Sequence, residues 1–193
     1  MRPLRRDELL DLVAYERIRP EFLGRTIARK KPRRIAVGDR LTFIFENRET
    51  VRFQIQEMLR AERAVKEDKI LDELAVYNEL IPGADELSAT LMIEIPETQR
   101  IRAELDRLIG IDEQVFLDVG SRSVRASFDP KQFESDRISA VQYVRFPLGP
   151  ALARAFCDRD QPVRLRVEHP NYRESAEIAG DSRDSLIADL SAP

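Results

Sequence analysis

The sequence predicts an α+β fold in which N-terminal helices pack with a mixed, mainly antiparallel sheet. Two observations carry this. Residues 1–82 are dominated by apolar residues at helical spacing, whereas residues 87–190 are dominated by short apolar runs and period-two alternation. The strands of the second part also come in pairs around turn signals such as Gly120-Ser121 and Pro170-Asn171, the pattern of hairpins rather than of parallel crossovers. There is no repeat, low-complexity stretch or long linker, so one domain over residues 1–193 is expected, helix-rich in 1–82 and strand-rich in 87–190.

Asp7 is placed to cap a first helix through Ile18, with Leu9, Leu12 and Val13 on its stripe. Pro20 suits the first turn of a second helix that Pro32 stops, with Phe22, Leu23 and Ile27 inward. Arg34–Val37 reads as a strand, and Gly38-Asp39 as the turn into the apolar run Leu41–Phe45. Asn47 is an N-cap, and Glu49 lies in the first turn of the helix that follows, where a carboxylate suits the positive helix end. Val51, Ile55, Met58 and Leu59 form its stripe, while Phe53 lies about 200° from Val51 at 100° per residue, so a second side of the helix is also contacted. Gln54, Gln56 and Glu57 then fall near covered surface and require partners. Asp68–Leu80 continues as a helix with Ile70, Leu71, Leu74 and Tyr77 inward.

After Pro82-Gly83 the period changes. Leu87–Ile95 reads as a strand, and Pro96–Ile109 as a helix with Ile101, Leu105, Leu108 and Ile109 inward and Gly110 as its cap. Val115–Val119 and Ser123–Phe128 form a hairpin, Asp129–Arg137 a polar loop, and Ile138–Leu148 a strand near the sheet centre. Gly149–Cys157 is a helix, Val163–Glu168 a strand, and Arg173–Ile178 a short edge strand. Asp181 or Ser182 caps a last helix to Leu190, followed by a frayed Ser-Ala-Pro tail.

Hydrophobic residues at 42% and charged residues at 35% describe a soluble domain with a heavily charged surface. No apolar run approaches the roughly 20 residues of a membrane span, and acids interrupt the N-terminus at once, so a cytoplasmic location without membrane contact is expected. The single cysteine, Cys157, excludes an internal disulfide and a cysteine-built zinc site. The single histidine, His169, excludes a ferritin-like di-iron centre and a two-histidine facial triad within one chain. No phosphate loop, nucleophile elbow or kinase set is present. The run Arg25–Arg34 is strongly basic but lacks interleaved aromatics and a known motif, and the overall pI is near 5.5, so nucleic acid is not an expected partner.

Charge is uneven along the chain. Residues 1–40 hold twelve Arg/Lys against six Asp/Glu, and residues 67–113 hold thirteen Asp/Glu against four Arg/Lys. Either the two regions face each other, or a basic patch awaits an acidic partner. Arg48 and Arg52 are one turn apart behind Asn47, and two guanidinium groups beside a helix start form an anion site unless Glu46, Glu49 or other acids fill it internally. His169, at a strand end beside Glu168 and Tyr172, is a candidate base, haem ligand or metal ligand, or alternatively a turn cap. Glu46, Glu49 and Glu57 alone would suit Mg²⁺, Ca²⁺ or Mn²⁺, but the adjacent arginines already neutralise them, so no metal site and no cofactor are expected there.

Glu46–Glu62 (ENRETVRFQIQEMLRAE), with RPEF at 19–22, ATLMIEIP at 89–96 and VEHPNY at 167–172, resembles a bacterial family of uncharacterised domains of about this length, and the resemblance covers nearly the whole chain. It implies no activity. It does imply gene neighbours of the rubrerythrin-like and iron–sulfur oxidoreductase kinds, hence a redox setting. The expected function is a non-catalytic accessory or partner protein in a bacterial redox or oxidative-stress module. The alternatives are an enzyme or sensor holding a small anion at Asn47, Arg48 and Arg52 with His169 nearby, or a haem or metal protein ligated by His169.

Overall fold

Apolar alternation in the strand-rich half and in Arg34–Glu46 builds two antiparallel sheets in the computed structural model, which describes residues 1–129, 133–134 and 137–191. In chain order the elements are α1 (Leu12–Lys30), β1 (Arg34–Val37), β2 (Leu41–Glu46), α2 (Arg48–Ala61), α3 (Glu67–Asn78), β3 (Glu86–Ile93), α4 (Ile101–Asp106), β4 (Val115–Val119), β5 (Arg122–Arg125), β6 (Ser127–Phe128), β7 (Phe133–Glu134), β8 (Arg137–Ile138), β9 (Val141–Pro147), α5 (Gly149–Cys157), β10 (Val163–His169), β11 (Tyr172–Glu177) and α6 (Gly180–Leu190). One sheet has the order β1-β2-β3-β9-β6, the other β11-β10-β4-β5, and β7 pairs with β8. The fold is α+β. Every pairing between described strands is antiparallel, so the mixed character expected of the sheet is not found among them.

The inward residues of both sheets form one core. Phe43 and Phe45 of β2, Leu87 and Leu91 of β3, and Val144 and Phe146 of β9 meet Val115, Leu117 and Val119 of β4 and Val163, Leu165 and Val167 of β10. Phe45 and Phe146 stack at 5.9 Å. Phe156 of α5 and Leu186 of α6 belong to the same cluster. A second cluster is helical: Val51, Ile55 and Leu59 of α2 join Ile70, Leu74 and Tyr77 of α3, with Leu4 and Leu9 from the N-terminus. Tyr143 of β9 packs against that second cluster, so β9 touches one core on each face.

The hairpin β1–β2 turns on Gly38, whose φ of +66° suits a residue without Cβ. Across the sheets, the Tyr172 hydroxyl donates to the Val37 carbonyl at 2.7 Å and accepts the Arg40 amide at 3.1 Å, pinning this turn to β11.

Local expectations are corrected in several places. Val13, Ile27 and Leu71, expected on inward stripes, are exposed, because α1 buries the face of Tyr15, Phe22 and Thr26 and α3 that of Ile70, Leu74 and Tyr77. The two N-terminal helices are one: α1 is capped by Asp11, not Asp7, and runs through Pro20. Pro20 removes one helical N–H, but Tyr15 on one side of it and Phe22 and Thr26 on the other are all buried, and that packing outweighs the lost bond. The expected helix Pro96–Ile109 shortens to a 3-10 turn (Thr98–Arg100) and α4. Leu108 is buried as expected, but Ile101 and Ile109 are exposed and Glu104 is buried instead, because Arg40 and Arg100 neutralise it. At α6, Ala179 holds the N-cap position without a side-chain bond, and neither Asp181 nor Ser182 caps the helix. Residues 130–132 and 135–136 of the expected polar loop, and Ala192 and Pro193 of the expected frayed tail, lie outside the described residues.

Candidate functional site

The junction of β2 and α2 gathers most of the polar side chains singled out in the sequence. The Asn47 carboxamide accepts the amides of Glu49 and Thr50, both at 3.1 Å, and Thr50 Oγ1 accepts the Asn47 amide at 2.9 Å, a reciprocal cap. Asn47 Nδ2 also donates to Asp189 of α6 at 3.1 Å. Further along α2, buried Gln56 accepts the Leu10 amide at 2.6 Å and donates to the Leu10 carbonyl at 3.3 Å. Glu57 takes both nitrogens of the Arg19 fork at 2.8 Å and the Tyr15 hydroxyl at 2.6 Å. Gln56 and Glu57 thereby find the partners that their covered positions require, each in a different segment.

Arg48 and Arg52 converge on the N-terminal segment of the same chain. Arg48 pairs with the Glu8 carboxylate and donates to the Arg2 carbonyl at 3.2 Å. Arg52 donates to the Glu8 carbonyl at 3.1 Å and stands 5.6 Å from the Phe22 ring centroid. The anion beside these arginines is therefore Glu8, rather than Glu46 or Glu49. The Arg48 hydrogen bond, helped by the Arg5 amide, lowers the Glu8 pKa from 4.5 to about 2. Because the folded value is depressed, Glu8 stabilises the fold fully above pH ~4.5, and that stabilisation is lost as pH falls toward 2. Glu8→Gln is expected to cost roughly 1 kcal/mol at neutral pH. Its melting-temperature deficit relative to wild type should shrink as unfolding is repeated down to about pH 2; a deficit independent of pH would disprove the assignment.

His169 lies elsewhere, at the end of β10 in the four-stranded sheet. It is buried, its Nε2 is 2.9 Å from the Ile109 carbonyl, and its Nδ1 accepts the Asn171 amide at 3.2 Å. Nδ1 thus caps the turn between β10 and β11 and Nε2 holds the Ile109 carbonyl beyond α4, so both ring nitrogens are engaged within the chain. No bond among the described residues joins it to Asn47, Arg48 or Arg52. Half-buried Cys157 at the end of α5 is likewise not bonded to it. His169 accordingly acts here as the turn cap, the bland alternative of the sequence.

One polar atom of the β2–α2 junction stands apart. Glu46 is 2% exposed and ends β2. Its Oε1 accepts the Thr90 hydroxyl at 2.9 Å and lies 3.7 Å from Lys30 Nζ. Its Oε2 is buried without a hydrogen-bond partner. Glu46, Ser88, Ser127, Asp129, Tyr143 and Arg145 line a cavity of about 220 Å³ on the face of the five-stranded sheet opposite its main core, closed on one side by Glu79 and Leu80. The register explains the gathering: Glu46 is opposite Ser88, Ser88 opposite Arg145, and Arg145 opposite Ser127. Burial and the nearby Glu46 charge raise the Tyr143 pKa.

The sequence offers Glu46 as a metal-ligand candidate or as an internal partner of Arg48 and Arg52, and does not single out Lys30, Thr90 or Tyr143 beside it. A usable signal existed. Thr42 and Glu46 share one face of β2, and Ser88 and Thr90 share one face of β3, an unusual polar row for interior strands. Among the described residues, no group of three or more His, Cys, Asp or Glu side chains is placed to hold a metal ion. No helix among them is long and apolar enough to cross a membrane.

A family model described as "Protein of unknown function (DUF3501)" matches residues 3–190. A crystal structure of a protein of unknown function from Burkholderia pseudomallei is similar over 98% of this chain and 100% of that one, with a TM-score of 0.92 and 38% sequence identity. None of the curated proteins matches the chain.

Proposed function

The chain belongs to the DUF3501 family of proteins of unknown function, and from that premise we propose that it is a non-catalytic partner protein in a bacterial redox or oxidative-stress module. The observation that carries the reading is the outer face of α1. Positions 13, 17, 20, 24, 27 and 31 fall within one arc at about 100° per residue. Val13 and Ile27 on that arc are 65% and 62% exposed, and Pro20 and Gly24 are exposed between them. Arg17 and Lys31 on the arc, and Arg29 beside it, carry no ion pair among the described residues, whereas Arg19, Arg25 and Lys30 of the same helix do.

Charge elsewhere in the N-terminal region is largely matched. Arg6 pairs with Glu67 at 3.0 Å, Arg34 with Glu94 at 2.5 Å, and Arg40 with Glu104, so part of the basic excess faces the acidic middle of the chain. On α1 it faces outward. Exposed apolar side chains set among unpaired cations fit an acidic protein surface with an apolar centre. The redox part of the reading rests on the gene neighbours that the family resemblance implies, which makes the partner an iron–sulfur oxidoreductase or a rubrerythrin-like protein. The non-catalytic part is supported by the polar groups of the Glu46–Glu57 signature, most of which bind other segments of the same chain. A sensor of small anions at Asn47, Arg48 and Arg52 would have to displace Glu8 from Arg48.

Calorimetry with the purified redox proteins encoded beside this chain tests the proposal. Saturable binding is expected, weakened about tenfold or more by Arg17→Glu combined with Ile27→Asp, and weakened further by added salt. Absence of binding to either kind of protein, or binding indifferent to the α1 substitutions, would refute it.

A further inference from the structure

The edge strands of the two larger sheets are not alike. β1 and β5 have four residues each and β6 two, whereas β11 has six and contains neither proline nor glycine. Hydrogen bonding along β11 alternates. The Ile178 amide donates to the Val163 carbonyl at 2.8 Å, and the register then assigns the main-chain groups of Tyr172, Glu174 and Ala176 to β10. Those of Arg173, Ser175 and Glu177 point away from the sheet and have no hydrogen bond among the described residues. All three residues are exposed. Their charged side chains are unpaired as well: Arg173 stands opposite Glu168, but Glu168 pairs with Arg166 at 2.5 Å, and Glu177 forms no ion pair among the described residues. An open edge of this kind is a template for another strand.

We propose that β11 pairs antiparallel with β11 of a second copy of this chain about a two-fold axis at Ser175, joining the two four-stranded sheets into one. The strand is complementary to itself in that register. Ser175 faces Ser175 of the second copy, and on either side of the axis Arg173 of one copy faces Glu177 of the other. These are the residues whose main-chain groups are free, so each facing pair exchanges two main-chain bonds. Their side chains share one face of the strand, so each unpaired guanidinium meets an unpaired carboxylate across the junction. Neighbouring registers are worse. An axis at Glu174 sets two like charges face to face, and an axis at Ala176 leaves Arg173 facing Ala179. The two-fold contact uses up the open edge of both copies and therefore closes at a dimer. It involves no residue of α1, so it stands independently of the partner proposed above.

Sedimentation equilibrium and amide hydrogen exchange of the full chain test the dimer, at concentrations up to about 1 mM because a contact of this size belongs to the weak end of the range. A monomer–dimer equilibrium is expected. The amides of Arg173, Ser175 and Glu177 should exchange more slowly as concentration rises, while those of Glu174 and Ala176, already bonded to β10, should not change. Arg173→Glu and Glu177→Arg alone should each weaken the dimer about tenfold, since each sets like charges face to face twice. Mixed in equal amounts, the two variants should pair with each other about as tightly as wild type, because every facing pair is again of opposite sign. A chain that stays monomeric at the highest concentration would overturn the proposal. So would a dimer in which the three outward amides are indifferent to concentration, or one that either charge reversal leaves unchanged. Failure of the mixed variants to recover pairing would overturn it equally.

Discussion

Arg33→Ala is expected to destabilise the protein by about 3–5 kcal/mol, which for a chain of this length lowers the melting temperature on the order of 10 °C. Arg33 is 1% exposed and directs its whole guanidinium at fixed acceptors. Its Nε donates to the Phe45 carbonyl at 2.7 Å, one terminal nitrogen to Ser185 Oγ at 3.0 Å, and the other to the Glu46 carbonyl at 3.1 Å and to the Asp189 carboxylate. Asp189 in turn accepts Asn47 Nδ2, so one side chain ties the end of β2, the cap of α2 and the C-terminal helix together. Truncation leaves two carbonyls without their donor and a nearly buried carboxylate without its counter-charge, and the unpaired charge is the larger cost. Arg33→Lys should recover only part of the loss, because an ammonium cannot span this fork of acceptors. Arg33→Met combined with Asp189→Leu should be more stable than Arg33→Ala, since it removes both charges. Urea unfolding of the set is the measurement, and an Arg33→Ala variant within about 1 kcal/mol of wild type would contradict this account.

Gly38→Ala is expected to cost about 2–4 kcal/mol. The backbone there has φ +66°, and a Cβ would overlap the Tyr172 hydroxyl and lie 2.7 Å from Glu174 Cγ. Tyr172 cannot withdraw without losing its bonds to Val37 and Arg40. The variant therefore combines left-handed backbone strain with overpacking at the contact between the two sheets. Adding Tyr172→Phe removes the hydroxyl and should relieve the overlap but not the backbone strain. The cost of Gly38→Ala should accordingly be smaller in the Tyr172→Phe background than in wild type. Equal costs in both backgrounds, by thermal unfolding, would show that the steric contact contributes nothing.

Legibility differed by the range of the interaction involved. The reciprocal cap at Asn47 and the β1–β2 hairpin depend on neighbours within a few residues, so a propensity or a spacing suffices to find them. The break expected at Pro20 was a sound local inference, overruled by burial of Tyr15 and Phe22 on either side of the proline. Periodicity alone puts Ile101 and Ile109 on a buried stripe, but α4 is only six residues long and turns Glu104 inward toward Arg40, which is distant in sequence. The neighbours of His169 in sequence allow a base, a metal or haem ligand, or a turn cap. The Asn171 amide bonds Nδ1 within the turn, but the Ile109 carbonyl, sixty residues away, engages Nε2, and that contact is not legible in the sequence.

The sequence by itself determined the fold class, the helix and strand character of most segments, the absence of paired cysteines or histidines, and the concentration of polar residues at the start of α2. These follow from composition and from periods of two and 3.6 residues, which the backbone imposes locally. Only the tertiary structure decided what those polar residues face. Arg48 and Arg52 meet Glu8, Gln56 holds Leu10, and Glu57 holds Arg19, while Glu46 keeps one buried oxygen without a hydrogen-bond partner. The physical reason is that a hydrogen-bond partner is specified by a direction and a distance in space, and a charged side chain carries the same local signal whether a ligand or a remote segment of its own chain satisfies it.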